Sequence, residues 1–176
     1  MNQPMPAFPP LLGFAAFSGT GKTTLLKQLI PLLKAKGLRV GLIKHSHHAF
    51  EIDHPGKDSY VLRQAGASPV MLSSSHRRAV ITEHPVPREP VLQDELAYFD
   101  TSGLDLVLVE GFKHERFPKI ELHRPSLGRP LLFPDDDSII ALATDAPPAH
   151  LPDIPVLDIN DPAAIVRFIL GGFLGR

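Results

Sequence analysis

One short stretch, A-F-S-G-T-G-K-T at residues 16–23, restricts the possible fold of this chain more than any other. Residues 11–17 are continuously apolar and of strand length, as expected for a strand buried on both faces of a parallel sheet. Beyond the stretch, Leu25, Leu26, Leu29, Ile30, Leu32 and Leu33 recur at helical spacing, and Gly37 supplies the stop. Pro31 is expected to kink this helix by removing one backbone donor. Strand, glycine-bearing loop and helix in that order form a phosphate cradle. Gly19 and Gly21 admit backbone conformations closed to residues with side chains, so the amides of residues 18–23 can turn inward. The helix N-terminus adds roughly half a positive charge. Ser18, Gly19, Thr20, Gly21, Lys22, Thr23 and Thr24 are therefore the expected nucleotide-binding set. In it Lys22 bridges the β- and γ-phosphates, Thr23 completes a Mg²⁺ shell, and Thr24 lies near the α-phosphate. Ala16 replaces the usual first glycine at a position that needs only smallness.

The rest of the chain alternates in the same style. Residues 39–44, 70–72, 79–82, 104–109, 139–143 and 156–159 read as strands, and residues 58–65 and 91–99 as helices. Residues 119–123 alternate polar and apolar, as an exposed strand or hairpin arm would. Asp161 with Pro162 behind it opens a final helix. This alternation predicts an α/β three-layer fold of the P-loop NTPase type, with a mostly parallel sheet and an exposed β-hairpin extension. Ligands then sit at the carboxyl ends of the strands. At 176 residues a single domain over 1–176 is expected, with residues 1–9 flexible. Prolines mark the connections.

Charge and composition narrow the function. A formal net charge of -1 leaves no broad cationic face for nucleic acid or an anionic membrane. The absence of cysteine excludes disulfides, thiolate metal cages and thiol nucleophiles. No secretory signal or membrane span is evident, so a cytoplasmic protein is expected.

A phosphate cradle works with a carboxylate at the end of a neighbouring apolar strand, and L-D-L-V-L-V-E-G at residues 104–111 offers Glu110. Residues 44–57 hold His45, His47, His48, Asp53 and His54, readable as a transition-metal site, a solvated loop, or a nucleotide-sensing switch in which Asp53 joins the Mg²⁺ shell. The Asn-Lys-x-Asp signature for guanine is absent. Thr144 and Asp145, directly after the strand at 139–143, stand where a base reader would, and Thr-Asp before Pro147 and Pro148 reads equally as a turn.

Four linked motifs carry a resemblance: F-S-G-T-G-K-T-T-L-L at 17–26, G-L-I-K-H-S-H-H at 41–48, P-G-K-D-S-Y at 55–60 and V-E-G-F-K-H-E at 109–115. Together they resemble the molybdopterin-guanine dinucleotide biosynthesis adapter family, MobB, over most of the chain from about residue 11 to the D-I-N-D segment at 158–161. The resemblance implies a homodimeric GTP-binding protein with weak intrinsic GTPase activity. It also implies a partner, the molybdenum cofactor guanylyltransferase MobA, which attaches GMP to molybdopterin. Phosphate contacts fall on residues 19–24, and metal-side roles on Glu110 and Asp53, with Mg²⁺ and GTP as the ligands. The apolar tail at 168–174 and the expected hairpin at 119–123 are candidate dimer surfaces.

Three classes compete. An adapter would bind GTP and hydrolyse it slowly whatever small molecule is added. A small-molecule kinase using ATP or GTP would close Arg124 and Arg129 over the phosphates as a lid and turn over faster with its acceptor. A nucleic-acid-linked ATPase is disfavoured by the near-neutral charge.

Overall fold

The computed structural model describes residues 8–46, 49–148 and 152–176. His47, His48 and most of the N-terminal segment expected to be flexible lie outside the described residues. In chain order the elements are β1 (Leu11–Ala16), α1 (Lys22–Ala35), β2 (Val40–Lys44), α2 (Asp58–Gln64), β3 (Val70–Ser73), β4 (Arg78–Ile81), α3 (Leu92–Leu96), β5 (Leu106–Glu110), β6 (Lys119–His123), β7 (Ile139–Thr144), β8 (Val156–Asp158) and α4 (Pro162–Arg167). The chain divides into two compact units, one formed by Met1–His45 with Leu92–Arg176 and the other by Ser46–Val91. Among the described residues no helix is long and apolar enough to cross a membrane.

The first unit is built on a six-stranded sheet in the order β2-β5-β1-β6-β7-β8, with every neighbouring pair parallel. All of β5 is buried, and its alternate residues feed two cores. Leu106 and Leu108 join Leu25, Leu29 and Leu33 of α1 and Ile165 of α4 on one face. Val107 and Val109 join Leu92 and Leu96 of α3 on the other, which makes the three layers expected from strand–helix alternation. Helix α1 runs through Pro31 and ends in a turn where Leu38 N–H donates to the Leu33 carbonyl at 3.2 Å. Helix α4 starts as the sequence indicates: Pro162 follows Asp161, whose carboxylate accepts from Ala164 N–H at 3.0 Å.

One expectation is corrected here. Residues 119–123 are not an exposed hairpin arm; β6 lies between β1 and β7 and is buried. Lys119 and Glu121 are enclosed because each finds hydrogen-bond partners. Lys119 Nζ donates to the Glu115 carbonyl at 2.6 Å, Ser138 Oγ at 2.7 Å and Asp136 Oδ2 at 3.2 Å. Glu121 accepts from Leu132 N–H and Phe133 N–H, both at 2.8 Å. Polar residues with such partners mimic the pattern of a solvated face. The tail at 168–174, a candidate dimer surface, is partly buried within the first unit. Phe168–Phe173 continues α4 as a π-helical turn, with Ile169 fully buried and Phe168, Leu170, Phe173 and Leu174 packed against the α1 side of the core.

The second unit carries α2 and an antiparallel hairpin, β3–β4, in which Met71 pairs with Val80. An exposed hairpin thus lies here and not at 119–123, where it was expected: Met71 is 61% and Val80 51% exposed. Within the same unit, the buried Arg63 guanidinium is surrounded by Asp53, Glu51 and Glu83.

Candidate functional site: a phosphate cradle at the strand ends

The loop between β1 and α1 turns on Gly19 and Gly21, whose φ values of 85° and 96° lie in the left-handed region. Gly21 stands at the N-cap position of α1, and Leu25 N–H donates to its carbonyl at 2.9 Å. Thr20 is buried, and its hydroxyl donates to the Phe17 carbonyl at 2.8 Å. Its side chain thus braces the loop from within. Lys22 opens α1, followed by Thr23 and Thr24 on the first turn.

Sheet order then selects the acidic partner. Because β5 lies between β1 and β2, Glu110 is in register with Phe14 on one side and Lys44 on the other. Its side chain is 12% exposed, and Oε1 lies 3.6 Å from Lys22 Nζ and 3.2 Å from Lys44 Nζ. A carboxylate beside the cradle lysine is placed to orient a cation's water shell from the strand side. Glu110 and Thr23 carry oxygen donors of the kind that Mg²⁺ takes. Among the described residues no group of three His, Asp or Glu side chains could hold a metal alone. His47 and His48, which belong to the transition-metal reading of the histidine-rich segment, lie outside the described residues.

The segment after Glu110 is held in an unusual conformation. Gly111 has φ of 91°, and Phe112 has φ of 52°, which is uncommon for an aromatic residue. A Cβ on Gly111 would meet His45 Cβ at 2.7 Å. Phe112 is buried with its ring 5.0 Å from that of His45, and His45 N–H donates to the Glu110 carbonyl at 2.8 Å. The ends of β2 and β5 are thereby fastened around the carboxylate.

On the other side of the cradle three further strand ends converge. Arg124 follows β6, Asp145 follows β7 and Asn160 follows β8. Arg124 Nη1 donates to Asp145 Oδ2 at 2.6 Å, Nη2 to Asn160 Oδ1 at 3.0 Å, and Nε to the Thr20 carbonyl at 3.1 Å. Arg129 lies over the Phe17 ring at 5.7 Å. Arg124 is therefore fixed rather than poised as a lid.

Of the residues singled out from sequence, Lys22 and Glu110 meet directly, and Asp145 reaches the cradle through Arg124. Asp53 belongs to the second unit, where its Oδ1 accepts from Arg63 Nη2 at 2.8 Å while its buried Oδ2 has no hydrogen-bond partner among the described residues. Sequence reasoning missed Lys44 and Asn160. A lysine closing an apolar strand and an asparagine inside D-I-N-D were their only traces.

Known proteins resemble this chain in sequence and in fold. The family model for molybdopterin guanine dinucleotide synthesis protein B, MobB, matches residues 11–145. The molybdopterin-guanine dinucleotide biosynthesis adapter protein of Escherichia coli K12 is 53% identical over 162 residues, covering 92% of this chain and 91% of that protein. Its namesake in Haemophilus influenzae is 49% identical, covering 91% and 87% respectively. In fold, the chain resembles the crystal structure of a MobB homologue from Bacillus stearothermophilus, with a TM-score of 0.69 at 24% identity over 94% of this chain and 99% of that one.

Proposed function

The chain belongs to the molybdopterin guanine dinucleotide synthesis protein B family, and from that premise we propose that it is a GTP- and Mg²⁺-binding adapter of molybdenum cofactor biosynthesis. In this reading it assists the guanylyltransferase MobA, in the cytoplasm, in attaching GMP to molybdopterin. The observation that carries the nucleotide part is the meeting of Lys22 and Glu110 at the mouth of a glycine loop. Residues 18–24 hold the phosphates, Thr23 and Glu110 take the metal side, and Asp145 reads the base. Bound Mg²⁺ neutralises phosphate charge; the chain's own part is to position the triphosphate with Lys22 and the loop amides.

Hydrolysis is slow in this reading because the two arginines nearest the cradle are already committed. Arg124 holds Asp145, Asn160 and Thr20, and Arg129 lies over Phe17. The same commitments weaken the kinase reading, which needs both arginines to close over substrate. A homodimer is part of the proposal, and its interface must be sought away from β6, which is covered within the first unit.

The test is co-precipitation of the purified chain with a molybdenum cofactor guanylyltransferase in Mg²⁺·GTP, Mg²⁺·GDP and nucleotide-free buffer. Capture that depends on nucleotide is the expected result. A chain that binds Mg²⁺·GTP in a calorimeter yet never captures the transferase would defeat the adapter role alone.

A further inference from the structure

Arg124 carries only hydrogen-bond donors, so whatever faces it must present an acceptor. Asn160 turns its Oδ1 toward Arg124 Nη2, and this leaves the amide Nδ2 as a donor on its other side. Asp145 gives Oδ2 to Arg124 Nη1 and keeps Oδ1, with the remaining lone pair of Oδ2, as acceptors. One guanidinium thus fixes which way both side chains point. The side chains of Arg124 and Asp145 are 30% and 28% exposed, so the pair is open to a ligand.

An acceptor pair beside a donor is a chemical pattern. Guanine presents two donors, N1–H and the 2-amino group, flanked by the O6 acceptor. Adenine presents the reverse at the matching atoms, N1 as an acceptor and N6 as a donor. The carboxylate of Asp145 complements the two guanine donors, and the amide of Asn160 complements O6. Against adenine, the carboxylate would face a lone pair and the amide another N–H, each a desolvated group without a partner.

We infer that Asn160 and Asp145 together form a guanine-reading subsite, and that Arg124 is a positioning residue that orients both and ties them to the phosphate cradle through the Thr20 carbonyl. This deepens the proposed function and rests on its reading of the loop as a nucleotide site. It adds Asn160 as a specificity residue and makes base and phosphate recognition mechanically one.

The experiment is calorimetric titration of GTP, ITP, XTP, ATP and inorganic tripolyphosphate, all with Mg²⁺, into the full chain and three variants. The wild-type chain should prefer GTP over ATP by roughly ten- to hundredfold, the range of one or two hydrogen bonds to a charged group. Asp145→Asn should lose the preference for GTP over ITP and gain affinity for XTP, whose 2-oxo group accepts from the new amide, while tripolyphosphate binding stays unchanged. Asn160→Ala should weaken GTP and bring ATP nearer to it. Arg124→Gln should erode GTP-over-ATP selectivity although it touches no base atom; a mere strut between strand ends would lower every nucleotide in proportion. Equal binding of GTP and ATP by the wild-type chain, or an Asp145→Asn profile identical to wild type, overturns the subsite and leaves the phosphate cradle standing. Failure of tripolyphosphate and GTP alike to bind would remove the cradle reading itself.

Discussion

Lys22 faces Glu110 across 3.6 Å, and in the proposed function it is the side chain through which the cradle distinguishes a triphosphate from a nucleoside. Lys22→Ala should therefore weaken GTP binding by about ten- to hundredfold, the range for a charge-assisted contact, and leave guanosine binding nearly unchanged. Titration of both ligands by calorimetry checks this, and equal losses would mean the variant is misfolded. Gly111 makes a different kind of demand. Its φ of 91° and the 2.7 Å approach of an added Cβ to His45 leave no room for alanine. Gly111→Ala should cost about 1–3 kcal/mol in a urea titration, the range for forced backbone strain, and it should also weaken Mg²⁺·GTP binding by displacing Glu110. Lysine and glutamate in these motifs are legible from sequence because their spacing from a strand end is set by the loop pattern. Asn160 was not, since the chemistry it offers depends on which neighbour holds its oxygen.

Strand β6 shows how an element can mislead. Its alternation is that of a solvated face, yet Glu121 is enclosed and accepts two backbone amides. Burial pushes its carboxyl above the usual glutamate range, against the lowering effect of those two bonds from Leu132 and Phe133. The sign follows from linkage. A carboxyl whose folded pKa is raised contributes its full stability below the unfolded pKa and loses it as pH rises through the folded one. Glu121→Ala should destabilise the fold by about 1–3 kcal/mol for each orphaned amide. The stability difference between wild type and variant should widen as pH is lowered from 7 toward 4.5, the ordinary value for this group, which melts monitored by circular dichroism would record. A gap that narrows on acidification would show that the carboxylate, not the acid, is the favoured form.

At the scale of the whole molecule, the proposed homodimer needs a surface, and the second unit offers one. Met71 and Val80 are cross-strand partners on β3 and β4, both more than half exposed, with Val61 and Leu62 of α2 also exposed. Isolated apolar side chains are ordinary on a surface, but a paired set on one short hairpin favours association. Sedimentation at micromolar concentration should give a dimer boundary that Met71→Glu with Val80→Lys shifts to monomer. An unshifted dimer would place the interface elsewhere, and a wild-type monomer would remove the dimer from the account.

The strand–loop–helix unit at residues 11–35, the parallel class of the sheet and the acidic end of β5 were all determined by the amino-acid sequence. Apolar runs, helical spacing and glycine conformation act over a few residues and need no distant partner. Only the tertiary structure decided that β6 lies inside the sheet, that the tail folds back on α1, and that Arg124, Asp145 and Asn160 meet beside Thr20. Those outcomes depend on which strand ends become neighbours, and a buried polar side chain is acceptable only where a partner far along the chain arrives to satisfy it.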